Sequence, residues 1–126
     1  VEAAVAGGAQ GLIINNTTLA RPATLQSPHK GESGGLSGRP LAARSAQMLR
    51  IVANIVAERL ALVSCGGIES GQDIVERIRL GADLVQVYTA FAYEGPALIG
   101  RLKREMLQIM RAEGVESLDD IRGVDL

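Results

Sequence analysis

The sequence predicts an α/β fold of about three βα units, and three observations lead there. Continuous apolar runs at Gly11–Asn15, Leu60–Cys65 and Leu84–Tyr88 are short and run into polar or glycine residues, as buried parallel strands do. The stretches between and after them carry apolar residues at helical spacing and are long enough for parallel crossovers. The central stretch, Leu60-Ala-Leu-Val-Ser-Cys-Gly-Gly-Ile-Glu-Ser-Gly-Gln-Asp73, passes from strand through paired glycines into Ser70-x-x-Asp73, the spacing of a capping box at a helix start. Glycines at such a junction let backbone N–H groups approach a bound group closely, and the helix dipole favours an anion there. The next strand, within Gly81-Ala-Asp-Leu-Val-Gln-Val-Tyr-Thr89, again enters through glycine and ends in polar Tyr88 and Thr89. Two successive strand ends rich in donors suit a phosphate cradle, which in a (β/α)8 barrel follows the seventh and eighth strands. Three strands cannot close a barrel that needs eight and typically about 250 residues. Residues 1–126 therefore read as the C-terminal fragment of a single TIM-barrel domain, an expectation that the mid-helix character of Val1–Ala6 supports.

In chain order, Val1–Ala6 is apolar and helix-compatible, and Gly7-Gly8 stops it. The first strand ends in Asn15-Asn16-Thr17-Thr18, four amide and hydroxyl side chains in a row. A turn rich in Asx and Thr explains such a run about as well as a ligand site does, but carboxyl ends of strands are where α/β sheets place ligands. Leu19–Arg39 has no periodicity, and prolines and glycines punctuate it. A connection of about twenty residues inside a compact domain is either functional or disordered. Its Gly34-Gly-Leu-Ser-Gly38 run is weak evidence alone, since flexible linkers look the same. Ala42–Arg59 reads as a helix with Leu49, Val52, Ala53 and Val56 on one face. A helix from about Ser70 to Arg79 turns Ile74 and Ile78 inward. Gly95-Pro96 introduces a long helix from Ala97 to about Glu113, striped by Leu98, Leu102, Met106 and Ile109, and Ser117-x-x-Asp120 starts a short final turn.

Composition narrows the function. Apolar residues make up 47 %, enough for a core, and aromatics only 2 %. The net charge of −1 comes without a basic block, so nucleic acid and anionic membrane surfaces have no support as partners. No apolar run approaches the roughly 20 residues of a membrane span. A single cysteine excludes an internal disulfide and a cysteine zinc site, and fits a reducing compartment.

The residues capable of chemistry are few. A Cys/His hydrolase would need Cys65 and His29 within hydrogen-bond reach and a third group orienting the imidazole, and no spacing provides that. Cys65 reads as a small buried thiol and His29 as a solvated loop residue. Asp73, Glu76 and Arg77 read as helix capping and solvated surface. Asp83 holds a turn before its strand, and no second carboxylate pairs with it for metal or acid–base work.

Four motifs together resemble the C-terminal part of dihydroorotate dehydrogenases: Asn16-Thr-Thr18, Gly34-Gly-Leu-Ser-Gly-Arg-Pro-Leu41, Gly66-Gly-Ile-Glu-Ser-Gly71 and Gly81–Thr89, with Glu94-Gly-Pro-Ala97 in agreement. The match covers essentially the whole chain, and the Asn-Thr-Thr triplet and Tyr-Thr pair look like the class 2, quinone-dependent branch. The resemblance implies a barrel that binds FMN and oxidises (S)-dihydroorotate to orotate in pyrimidine (UMP) synthesis, with quinone reoxidising the flavin. By position it implies substrate binding by Asn16 and Thr17. It implies cofactor binding by Asn15, Gly38, Gly67, Tyr88 and Thr89, the last three holding the phosphate largely through backbone N–H groups. Asn15 stands where the family commonly has Thr or Ser, and Cys65 where a small apolar residue is usual. The family's catalytic serine base, its flavin-contacting lysine and its membrane-associating helices belong to the part before Val1, so no catalytic residue and no metal ligand is expected here. Full-length, such an enzyme sits peripherally on the cytoplasmic side of the inner membrane. The fragment itself is expected to be inactive and prone to self-association. Two rival readings stay open: another FMN-dependent TIM-barrel oxidoreductase, or a non-catalytic half-barrel that binds phosphate or assembles with a partner.

Overall fold

The computed structural model describes all 126 residues. Helix α1 (Glu2–Ala6) precedes strand β1 (Gly11–Ile14), and a long connection ends in a 3-10 turn at Arg39–Leu41 that runs into α2 (Ala42–Val56). Strand β2 (Ala61–Cys65), α3 (Gly71–Arg79) and β3 (Leu84–Gln86) follow, then α4 (Thr89–Glu94), α5 (Ala97–Glu113) and a 3-10 turn at Leu118–Asp120. The sheet order is β1-β2-β3, all parallel, each strand pairing with its successor as in a barrel wall.

The sheet has two unlike faces. Leu62 and Ser64 of β2 and Ile14 of β1 are buried against the helical layer with Leu49, Ala53 and Val56 of α2 and Val75 and Ile78 of α3. Side chains alternate along a strand, so Ile13, Val63 and Leu84, which lie in register across the three strands, point the other way. Ile13 and Leu84 are each 64 % exposed, so that face is apolar and uncovered.

The helices form where the sequence places them, with instructive differences at their ends. Ser70 caps α3 through its hydroxyl, and Asp73 returns the bond to the Ser70 N–H, completing the capping box. The same device opens the final turn at Ser117 and Asp120. Helix α2 stops three residues before Arg59, because Ala57 and Glu58 both adopt positive φ, 46° and 67°. Strand β3 ends at Gln86 rather than Tyr88, and Tyr88 stands at the N-terminal boundary of an additional short helix, α4. On α3 Val75 joins Ile78 in the fully buried core, with Ile74 half-buried against it, and on α5 Met106 and Ile109 pack half-buried against the same core while Met110 is buried as well.

Arg77 departs most from expectation. Read as solvated surface, it is 2 % exposed. Asp83 does not bond within its turn but ties the start of β3 to its neighbours: one oxygen accepts from the Leu62 N–H of β2 at 2.7 Å and the other from Arg122 at 2.7 Å. His29 is solvated and paired with Glu32.

Candidate functional site

The carboxyl ends of the three strands open into one concave pocket of about 210 Å³. Asn15, Asn16, Thr17, Gly38, Gly67, Tyr88 and Thr89, the residues that sequence motifs single out, all line it. They come from four separate stretches. Strand pleat explains Cys65 and Gln86, which continue the uncovered face in the next row after Val63 and Leu84, and Asn15, just past the end of β1, joins them at the pocket.

Two parts of the wall carry backbone donors. The N–H groups of Gly66, Gly67, Ile68 and Tyr88 donate to no carbonyl of the chain. The first turn of α4 likewise lacks a side-chain cap. Gly67 has φ +74°, and a Cβ there would lie 2.4 Å from the Ala42 Cα. Close packing against the start of α2 thus demands this glycine, independently of any ligand. Gly38, at φ +75°, has the Thr89 side chain where a Cβ would be, 2.9 Å away. The Thr89 hydroxyl also donates to the Ser37 hydroxyl at 3.0 Å. The end of the long connection therefore reaches across to the third strand end and closes one side of the pocket.

That connection is ordered by one backbone bridge and one side chain. Thr18 and Leu36 form an antiparallel bridge, and Arg21 donates to the carbonyls of Lys30, Glu32 and Gly34 at 2.7–3.1 Å, among others. Nothing in its local sequence signals this, because one arginine satisfying carbonyls nine to thirteen residues away leaves no periodic trace.

At the amide cluster, the Asn15 N–H donates to the Cys65 carbonyl at 3.2 Å, the peptide before it is cis, and its Oδ1 is buried without a partner. Asn16 is exposed; its Oδ1 accepts from the Thr17 N–H at 2.7 Å, which leaves its Nδ2 unengaged. Cys65 is only half-buried and lines the pocket, so it is not the enclosed packing thiol that its sequence suggests. Its carbonyl also accepts from Ser45 Oγ at 2.6 Å, which ties α2 to the strand end.

The electrostatics centre on the start of α3. Burial pushes the Asp73 carboxyl up, but the Glu69 N–H, the Ser70 hydroxyl and Arg39 outweigh it and hold the group below the usual carboxylate range. Arg39, from the end of the long connection, reaches Asp73 at 2.9 Å. Glu105 of α5 accepts from the Gly71 N–H at 2.8 Å, and this bond first, then Arg101, lowers its pKa. Arg101 also holds Glu94 and the Glu69 carbonyl, fastening α4, α5 and the strand–helix turn together. No three His, Cys, Asp or Glu side chains group as a metal site.

These features define part of a parallel α/β barrel with an anion-suited cradle at the carboxyl ends of its strands. The chain belongs to the dihydroorotate dehydrogenase family, whose family model, described as "Dihydroorotate dehydrogenase", matches residues 1–110. Among its relatives is the dihydroorotate dehydrogenase (quinone) of Thermus thermophilus, 54 % identical over 113 residues, 90 % of this chain and 32 % of the relative. That of Rhodospirillum rubrum is 47 % identical over 98 % of this chain and 34 % of its own. The mitochondrial enzyme of Mus musculus is 42 % identical over 94 % and 30 %. A crystal structure of ligand-free DHODH from Eimeria tenella superposes with a TM-score of 0.93 at 42 % identity, covering 98 % of this chain and 34 % of that one. The chain thus spans about a third of the length of the relatives it matches, and its fold is a partial (β/α)8 barrel.

Proposed function

We propose that residues 1–126 supply the phosphate end of the flavin site and one wall of the substrate site in a quinone-dependent dihydroorotate dehydrogenase. The observation that carries this is the convergence of the Asn15–Thr17, Gly38, Gly67 and Tyr88–Thr89 stretches on one pocket. The residues present fit FMN: unpaired backbone N–H groups suit a phosphate, and the buried Asn15 Oδ1, without a partner in the chain, is free to accept from a ligand donor. At about 210 Å³ the pocket is smaller than a typical ligand site of roughly 300–1,000 Å³. It suits one end of the cofactor, with the remaining barrel strands supplying the rest.

Bound FMN would supply the hydride acceptor for oxidation of (S)-dihydroorotate to orotate, with quinone as the terminal oxidant. In this reading Gly67, Tyr88 and Thr89 hold the phosphate by N–H groups, Gly38 lets the chain pass close, and Asn15 meets the flavin. Asn16 and Thr17 bind the substrate ring, with the Asn16 Nδ2 free to donate to it. The base that removes the substrate proton, and the membrane contact that places the enzyme peripherally at an inner membrane, lie in the rest of the protein. No helix of this chain is long and apolar enough to cross a membrane.

The test is a full-length barrel carrying these residues, assayed for bound flavin and for dihydroorotate-dependent quinone reduction. The expected outcome is a yellow protein that releases FMN on denaturation and turns over dihydroorotate. A full-length protein that folds, holds no flavin and cannot be reconstituted with FMN would exclude the reading.

A further inference from the structure

Arg77 is the most deeply buried charged side chain, 2 % exposed against 8 % for Asp73 one helical turn earlier. From α3 it reaches beneath the strand–helix turn. Its Nη2 donates to the Ala42 carbonyl at 2.8 Å and approaches the Gly66 carbonyl at 3.5 Å. Its Nε and Nη1 are buried with no acceptor in the chain. Neither neighbouring carboxylate bonds to it. Asp73 is already occupied by the Glu69 and Ser70 N–H groups, the Ser70 hydroxyl and Arg39, and Glu76 is exposed. A guanidinium cannot shed its proton to escape burial, and burying an unpaired cation is strongly unfavourable. Its position is informative, because Gly66 and Gly67 line the pocket while Arg77 lies behind them. In a trans peptide the C=O and N–H point in opposite directions. With the Gly66 carbonyl turned toward Arg77, the Gly67 N–H of the same peptide is turned away from it.

We propose that Arg77 is the positioning residue of the cradle and the fixed positive charge behind it, which makes the site select a phosphorylated flavin over a neutral one. This rests on the reading that the pocket takes the phosphate of FMN. Arg77 acts through the Gly66–Gly67 peptide and through its field, without touching the ligand. Its charge is incompletely compensated within the chain, and a phosphate on the other side of the turn completes the pairing in a low-dielectric setting where it counts most.

The experiment uses the full-length barrel carrying these residues, stripped of flavin and titrated separately with FMN and riboflavin by flavin fluorescence. The unsubstituted protein is expected to prefer FMN. Arg77→Met is expected to reduce that preference about tenfold, and Arg77→Lys, which keeps the charge, to restore most of it. If Arg77→Met weakens FMN and riboflavin equally, Arg77 only packs the turn and the proposal is overturned. If the unsubstituted protein does not distinguish the two flavins, the phosphate reading itself fails. Should the Met variant not fold, the assigned Arg77 Nε–H resonance of the unsubstituted protein decides: it is expected to shift on adding FMN but not riboflavin. An unmoved resonance with FMN overturns the proposal.

Discussion

At Gly67, left-handed backbone and the proximity of Ala42 act together, with an added Cβ 2.4 Å from the Ala42 Cα. Gly67→Ala is therefore expected to destabilise the flavin-free protein, by at least about 1–3 kcal/mol of backbone strain, before any effect on FMN. Urea unfolding of the flavin-free variant checks this; unchanged stability with lost flavin would reassign the glycine to the ligand. Asn16 is the complementary case, since its exposed amide touches only Thr17. Asn16→Ala is expected to impair dihydroorotate turnover while flavin content stays near normal. Lost flavin with an untouched Michaelis constant would reverse the roles of the two ligands. Asp73 supplies a pH dependence. Its folded pKa lies below the unfolded value near 3.8, so its stabilisation is complete above that value and is lost as pH falls further through the folded one. Asp73→Asn is expected to flatten the fall in urea midpoint below about pH 4.

Among the elements, α3 depends most visibly on its cap. Ser70 accepts from the Asp73 N–H at 3.1 Å and donates to its carboxylate at 2.8 Å. Ser70→Ala is expected to cost about 1 kcal/mol by urea unfolding. The end of α2 offers the opposite sign, because Ala57 occupies the left-handed region that glycine reaches freely. Ala57→Gly is expected to raise stability by up to ~1 kcal/mol, the relief of strain being partly offset by a more flexible unfolded chain.

On the scale of the molecule, the uncovered row of Ile13, Val63 and Leu84 and the bare edges of β1 and β3 set how the isolated chain behaves. An apolar sheet face with two free edges favours pairing with another copy. Sedimentation of the isolated chain is expected to show concentration-dependent association. A dye-reduction assay with dihydroorotate and added FMN is expected to show no sustained turnover. Turnover there would mean that a base exists within these residues, with half-buried Cys65 the first to re-examine.

Much of this was legible in the sequence because it depends on neighbours in the chain. Apolar runs, helical spacing, the Ser70–Asp73 box and the glycine pairs are local, and they determined the order of elements and the strand ends that form the pocket. The tertiary structure alone decided what depends on distant partners. Arg77 is buried because Ala42 and Gly66 lie above it, and Gly67 is constrained by a helix that begins twenty-five residues earlier. Arg21 orders its loop through carbonyls that no pattern marks. The short α4 begins where β3 gives out, at a point that no local capping signal marks. Hydrophobic periodicity records which way a side chain faces, but the atoms it meets there are fixed only when the elements pack.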